Sequence, residues 1–169
     1  LPPMAQLSVL NAMVVDDFNN DGHLDVATTG NDFGTELSTS RYDAHNGLVL
    51  LGNGDGSFRA QTLIESGLFI PGDGKALVKL KLAGNRYGLA ASQNKDVLKL
   101  FSLRTNNRLV TPRPNEIKAL VHLKNGRVRK QEFYFGSSFL SHSAPFLVMN
   151  DAVEKIIFTD LTGKTREIR

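Results

Sequence analysis

The 169-residue chain has no cysteine. That absence removes disulfides, thiolate zinc sites and cysteine nucleophiles together, and it leaves the redox compartment open. Nor is there a run of 18 or more apolar residues, so no stretch reads as a membrane-spanning helix. The opening residues Leu1, Pro2, Pro3 and Met4 lack both the basic start and the apolar core of a signal peptide. They read as the edge of a piece taken from a longer chain. Basic residues are scarce in the first part: residues 1–74 hold only Arg41 and Arg59 against ten carboxylates, a balance of −8. Residues 75–169 reverse this with eighteen Lys and Arg against seven carboxylates, a balance of +11. The basic half carries no aromatic-interleaved basic motif, which argues against nucleic acid as a partner. It reads as a solvated face, or as a surface docked on the acidic half or on further domains. The length suits one ordinary domain or two small ones.

What the acidic half does contain is a patterned loop. Asp17, Asn19, Asp21 and Asp25 place oxygen-bearing side chains at positions 1, 3, 5 and 9, with the carbonyl of His23 at position 7 and Gly22 at the sharp bend. A hard cation such as calcium takes six to eight oxygens at about 2.3–2.6 Å, and this is the spacing that delivers them from one turn. Gly22 stands where φ is expected to be positive, a conformation that costs any residue with a Cβ. The competing reading is a metal-free surface turn, since Asn, Asp and Gly favour turns for their own reasons.

The flanks decide the kind of loop. An EF-hand needs helices on both sides and a bidentate Glu at position 12, but Thr28 stands there. Residues 12–15 and 26–29 are short apolar and β-branched runs, which read as strands. A metal loop joining two strands resembles the FG-GAP or VCBS-type β-propeller blade. The resemblance continues through Gln6, Gly30, Asn31, Arg41, Tyr42, Asp43 and Ala44, the strand at residues 47–51, and the Gly52, Asn53, Gly54, Asp55, Gly56, Ser57, Phe58 hairpin. A second unit repeats the strand rhythm over residues 76–82, 88–91 and 96–101. It carries Lys81, Ala83, Gly84 and Asn85 where the first has acids, and so is expected to be metal-free.

Pro112 and Pro114 interrupt strand pairing and read as a linker. Beyond them, residues 119–124 and 127–135 flank an Asn125-Gly126 turn of hairpin type, and residues 145–149, 154–159 and 165–168 add further strands. Tyr134 through Ser143, with Asp160 through Lys164, resemble the UnbV/ASPIC module that follows VCBS blades. They diverge from it at His142 and at Leu161, Thr162 and Gly163. The expectation is an all-β chain: residues 1–111 as about two four-stranded antiparallel blades of a partial β-propeller, and 115–169 as a small antiparallel β module. Two blades cannot close a propeller. The resemblance therefore implies missing blades of a longer parent chain.

Other chemistry is weaker. Gly72, Asp73, Gly74 and Lys75 mimic a phosphate loop, but Phe69 stands where its first glycine belongs and Ala76 where Ser or Thr must hold magnesium, so the stretch reads as a turn. Ser137, Ser138, Ser141, His142 and Ser143 set hydroxyls beside an imidazole without supplying a triad. The four histidines are too scattered to imply zinc. The polar stretch 30–46 is long for a connection, and its Glu36, Arg41, Tyr42, Asp43 and His45 are candidate ligand-binding residues for a sugar or a partner protein. Packing and pairing within the blade is the alternative for Arg41 and Tyr42.

The resemblance implies a secreted, periplasmic or cell-surface bacterial protein, in which calcium rigidifies one blade and the chain binds a protein or glycan partner without catalysis. Two other readings stand beside it: a scaffold within a polysaccharide-active enzyme such as a lyase, built on Asp32, Glu36, Arg41, Tyr42 and Asp43, and a structural spacer.

Overall fold

A computed structural model describes residues 1–104, 107–134, 136 and 141–169. The strands are β1 (Leu10–Asp16), β2 (Asp25–Gly30), β3 (Leu48–Gly52), β4 (Phe58–Ala60), β5 (Gly74–Leu82), β6 (Arg86–Gln93), β7 (Lys99–Ser102), β8 (Arg108–Val110), β9 (Glu116–Leu123), β10 (Val128–Glu132), β11 (Leu147–Met149), β12 (Val153–Asp160) and β13 (Thr165–Ile168). Two short 3-10 turns, Pro3–Gln6 and Ala83–Asn85, and one helical turn, α1 (Leu63–Ser66), complete the described elements. The protein is all-β, with antiparallel sheets and no closed barrel among the described residues.

The first sheet is a meander in chain order, β1-β2-β3-β4. Asp16 pairs with Asp25 at the end of the β1–β2 ladder, so the Asp-rich segment is the hairpin connection between them. Alternation sets the faces: Ala12 and Val14 are buried while Met13 and Val15 on the opposite face are exposed.

The second sheet, β5-β6-β7, has three strands and not the four expected of a blade. The missing partner is accounted for by β8, which pairs antiparallel with β11. That pairing also makes a strand of the residues just before Pro112. The last sheet has the order β10-β9-β12-β13, with the Asn125-Gly126 turn joining β9 to β10 as expected and Gly126 at φ 84.

The β8–β11 ribbon is two-faced. Its paired residues Leu109 and Val148 belong to the core shared by the first two sheets, together with Val14, Ala27, Leu77, Tyr87 and Phe146. The next pair, Val110 and Leu147, points the other way into the core of the last sheet with Ala119, Val121, Ile156 and Phe158. A strand's period of two sends successive side chains to opposite faces, and here that alternation joins two cores.

Strands β1 and β5 lie side by side. The Asn11 amide donates to the carbonyls of Asn31 at 2.9 Å and Gly74 at 2.8 Å. A Cβ on Gly74 would come within 2.1 Å of Thr29 Oγ1, so the approach of the two sheets requires glycine. The residues resembling a phosphate loop are in fact this contact. Asp73 is buried and pairs with Lys75 at 2.6 Å, and Gly72 donates to Gln93 Oε1.

Candidate functional site

The β1–β2 connection turns as its composition requires. Asn20 and Gly22 both have positive φ, 65 and 86. Their neighbours gather amides around two buried carboxylates. Asp17, 3 % exposed, accepts from the amides of Asp21 at 3.1 Å and Gly22 at 3.0 Å. Asp25, 0 % exposed, accepts from Phe18 at 2.8 Å, Asn19 at 3.4 Å and Gly52 at 2.9 Å. These bonds fasten the loop to itself and to the end of β3. Burial pushes the Asp25 carboxyl above its ordinary value, the amides of Gly52, Phe18 and Asn19 pull it back, and the charge of Asp21 adds to the upward push.

Asn19 and Asp21 are exposed. The Asn19 carboxamide donates to Asp21 Oδ2 at 2.8 Å and accepts from the Asp21 amide at 3.1 Å, while Asp21 Oδ1 accepts from the His23 amide at 2.8 Å. The donor set suits a hard cation: every candidate side chain presents oxygen, and Asp17 Oδ1 and Asn19 Oδ1 converge on the one Asp21 amide. Among the described residues, no three His, Asp or Glu side chains are already gathered on a common point. The loop has the chemistry and the bend for calcium, with its carboxylates engaged by amides.

The same loop is where the C-terminal sheet is seated. Asn150, between β11 and β12, donates to Asp17 Oδ2 at 3.3 Å and Asn20 Oδ1 at 2.9 Å, and Asn107 donates to the same Asn20 oxygen at 2.7 Å. A Cβ on Gly22 would come within 3.4 Å of the Leu123 side chain and 3.9 Å of Ala152, so both lie close to the bend. The His23 ring, as opposed to its carbonyl, meets Arg127: Nδ1 lies 2.9 Å from the guanidinium, which can only donate, so Nδ1 accepts. These contacts span 87 to 133 residues of sequence, and no local pattern announces them.

The 30–46 segment is closed at its base by an isolated bridge in which Asp32 and Tyr42 exchange both backbone hydrogen bonds, at 2.9 and 3.0 Å. Arg41 lies over the Phe33 ring at 5.0 Å. Glu36, Arg41, Tyr42 and Asp43 are exposed, but His45 is separated from them. It is buried, with Nε2 2.9 Å from Thr28 Oγ1 and Nδ1 accepting from the Gly47 amide at 3.0 Å. Nδ1 therefore lacks the proton and Nε2 carries it. Burial holds its pKa below the ordinary histidine value. Asn31 braces it, donating to His45 O at 2.7 Å and accepting from His45 N at 2.9 Å. His45 is a structural staple at the root of the loop.

A second polar cluster went unnoticed in the sequence. Asp16 Oδ2 accepts from Lys79 Nζ at 3.1 Å and Tyr87 Oη at 3.0 Å, and the same ammonium donates to Phe146 O at 3.0 Å. Tyr87 packs edge-on against Phe146 at 4.9 Å. Burial, then the Asp16 charge and hydrogen bond, raise its phenol well above the ordinary value. In the sequence nothing sets Lys79 apart from Lys75 and Lys81 of the same strand. Ser137 and Ser138, together with Phe135, Phe139 and Leu140 of the tail-module resemblance, lie outside the described residues. His142 Nδ1 accepts from the Gly136 amide at 3.3 Å.

No family model matches the chain, and no curated protein matches it.

Proposed function

We propose that the chain is a non-catalytic, calcium-stabilised interaction module of a larger extracytoplasmic bacterial protein, of the FG-GAP/VCBS kind. The observation that carries this reading is the position of the Asp17–Asp25 loop. Its buried carboxylates hold together the β1–β2 connection, the end of β3 and the Asn150 segment of the C-terminal sheet.

Such a loop concentrates negative charge in a half of the chain already at −8 by its two Arg and ten carboxylates. A calcium ion held by Asp17, Asn19, Asp21, Asp25 and the His23 carbonyl neutralises that charge where the two parts of the chain meet, and stiffens the joint that presents the rest. Stiffening a scaffold so that exposed loops are held ready is the service a structural ion performs for a binding module. The exposed Glu36, Arg41, Tyr42 and Asp43, on a segment tied at its base, are the surface offered to a protein or glycan at the cell surface.

Calorimetric titration of the chelated protein tests the proposal. Heat should saturate at one site per chain with Kd on the order of 10⁻⁴ to 10⁻⁵ M, between the extracellular-module range and the weakest sensors, and Asp21→Ala should abolish it. Absence of calcium heat, or unchanged binding in Asp21→Ala, overturns the calcium reading.

A further inference from the structure

Between β1 and β10 runs a cleft of about 360 Å³, lined by Met13 and Val15 of β1 together with Lys79 and Phe146. Its charges are unevenly settled. Asp16 is taken by Lys79 and Tyr87, and Glu132 by Lys130 at 2.5 Å. Those are the two carboxylates that line it among the described residues. Arg129 lines it too, and among the described residues it has neither an ion pair nor a side-chain hydrogen bond: its Nη1 is shielded from solvent with no acceptor.

This placement is costly for a guanidinium. Arg129 sits opposite Val121 in the β9–β10 ladder, on the face that Val121 and Ile156 give to the apolar core. Arg129 as a whole is half-buried, but a guanidinium nitrogen held from solvent without an acceptor carries an unmet hydrogen bond, a cost that an apolar side chain of similar size avoids. The planar fork of Arg129 matches a carboxylate or a phosphate. One unbalanced positive charge, beside the apolar Met13 and Val15, favours a singly charged group on a partly apolar body over a dianion.

We infer that this cleft binds a small monocarboxylate, anchored by the Arg129 guanidinium. Its volume lies at the lower end of ordinary ligand pockets, which run from about 300 to 1,000 Å³, so the ligand is of the size of one sugar acid or one acylated amino acid. The cleft touches the Asp17–Asp25 loop through Leu24, but none of the loop's candidate calcium ligands lines it, so the inference does not depend on the calcium reading.

The test uses the full chain in chelator, titrated by NMR with glucuronate, N-acetyl-leucinate and, as a non-carboxylate control, sulfate. One of the two carboxylates should bind saturably and shift the signals of Val15, Arg129 and Phe146, with sulfate at least tenfold weaker; which carboxylate binds identifies the source as sugar or peptide. Arg129→Met should lose at least tenfold in affinity while melting no lower than the parent in ligand-free buffer. Arg129→Lys, which keeps charge and loses the fork, should fall between. The inference is overturned if neither carboxylate binds by tens of millimolar, if sulfate binds as well, if Arg129→Met binds equally, or if Arg129→Met is strongly destabilised without ligand, since the fold itself would then be using the guanidinium.

Discussion

Asn150 reaches across 133 positions of sequence to donate its side-chain amide to Asp17 at 3.3 Å. The bond ties the C-terminal sheet to the loop between the first two strands, and the same amide also serves Asn20 at 2.9 Å. Replacing Asn150 with Ala removes both bonds from a buried position and leaves one Asp17 oxygen with a single amide, at a cost of about 1–3 kcal/mol. Asn150→Asp should be worse in calcium-free buffer, because a carboxylate cannot donate and faces another carboxylate. Urea unfolding midpoints should rank the parent above Asn150→Ala and Asn150→Ala above Asn150→Asp.

Asp25 accepts three amides from two segments, Phe18 and Asn19 on one side and Gly52 on the other. Asp25→Ala strands buried donors at both, so a loss of about 3 kcal/mol or more is expected without any calcium present. If calcium binds as proposed, the parent also gains about 2.7 kcal/mol at one hundred times Kd, and Asp25→Ala does not. Melting curves of both proteins in chelator and in millimolar calcium separate the two contributions. The first is read in chelator, the second as the calcium-induced shift.

The strands were largely legible. Alternating apolar residues marked β1, β5, β9 and β12, and Asn125-Gly126 marked a hairpin. The β1–β2 loop was readable because its side-chain pattern is local. What escaped notice is mostly non-local. Arg108–Val110 is three residues long and is a strand only because Leu147–Met149 pairs with it. Lys79 looked like an ordinary polar alternate, and its role is set by Asp16, 63 positions away. His45 carries the residue type of a binding site, but Asn31, Thr28 and Gly47 bury it. The α1 turn is a different case: Thr62 and Glu65 form a local capping box, readable from the three-residue spacing and overlooked.

His45 should impose a pH dependence. Burial places its folded pKa below the unfolded value of about 6.5. A base with a depressed pKa is held neutral in the fold, so the unfolded chain takes up the proton first. The stabilisation is complete above about pH 6.5 and is lost as pH falls through the lower, folded pKa. Urea midpoints of the parent should drop between pH 7 and 5 more steeply than those of His45→Gln, and a parallel decline in the two proteins would rule out His45 as the source.

The two-faced ribbon predicts cooperativity. Leu109 and Val148 lie in one core and Val110 and Leu147 in the other, so neither sheet system can open without unpairing β8 from β11. The chain should melt in one calorimetric transition despite its two cores. Leu109→Ala, with a cavity cost of about 2–5 kcal/mol, should lower that transition as a whole. Two resolved peaks in the parent, or a variant that shifts only one, would show that the parts unfold separately.

The last expectation concerns what the exposed loop does. Glu36, Arg41, Tyr42 and Asp43 stand on a segment whose base is fixed by the Asp32–Tyr42 bridge, with Arg41 stacked on Phe33. Hydrolysis needs an acid and a base converging on one bond in a site that excludes water, whereas Glu36 and Asp43 are both open to solvent. The backbone bonds of Tyr42 survive removal of its hydroxyl, so Tyr42→Phe leaves the loop standing and tests the phenol alone. A glycan and peptide array should give signal for the parent that falls in Tyr42→Phe and Asp43→Asn. A reducing-end release assay on acidic and neutral polysaccharides should stay at background for all three proteins, with or without calcium. Sugar release by the parent that vanishes in either variant would replace the binding module with an enzyme.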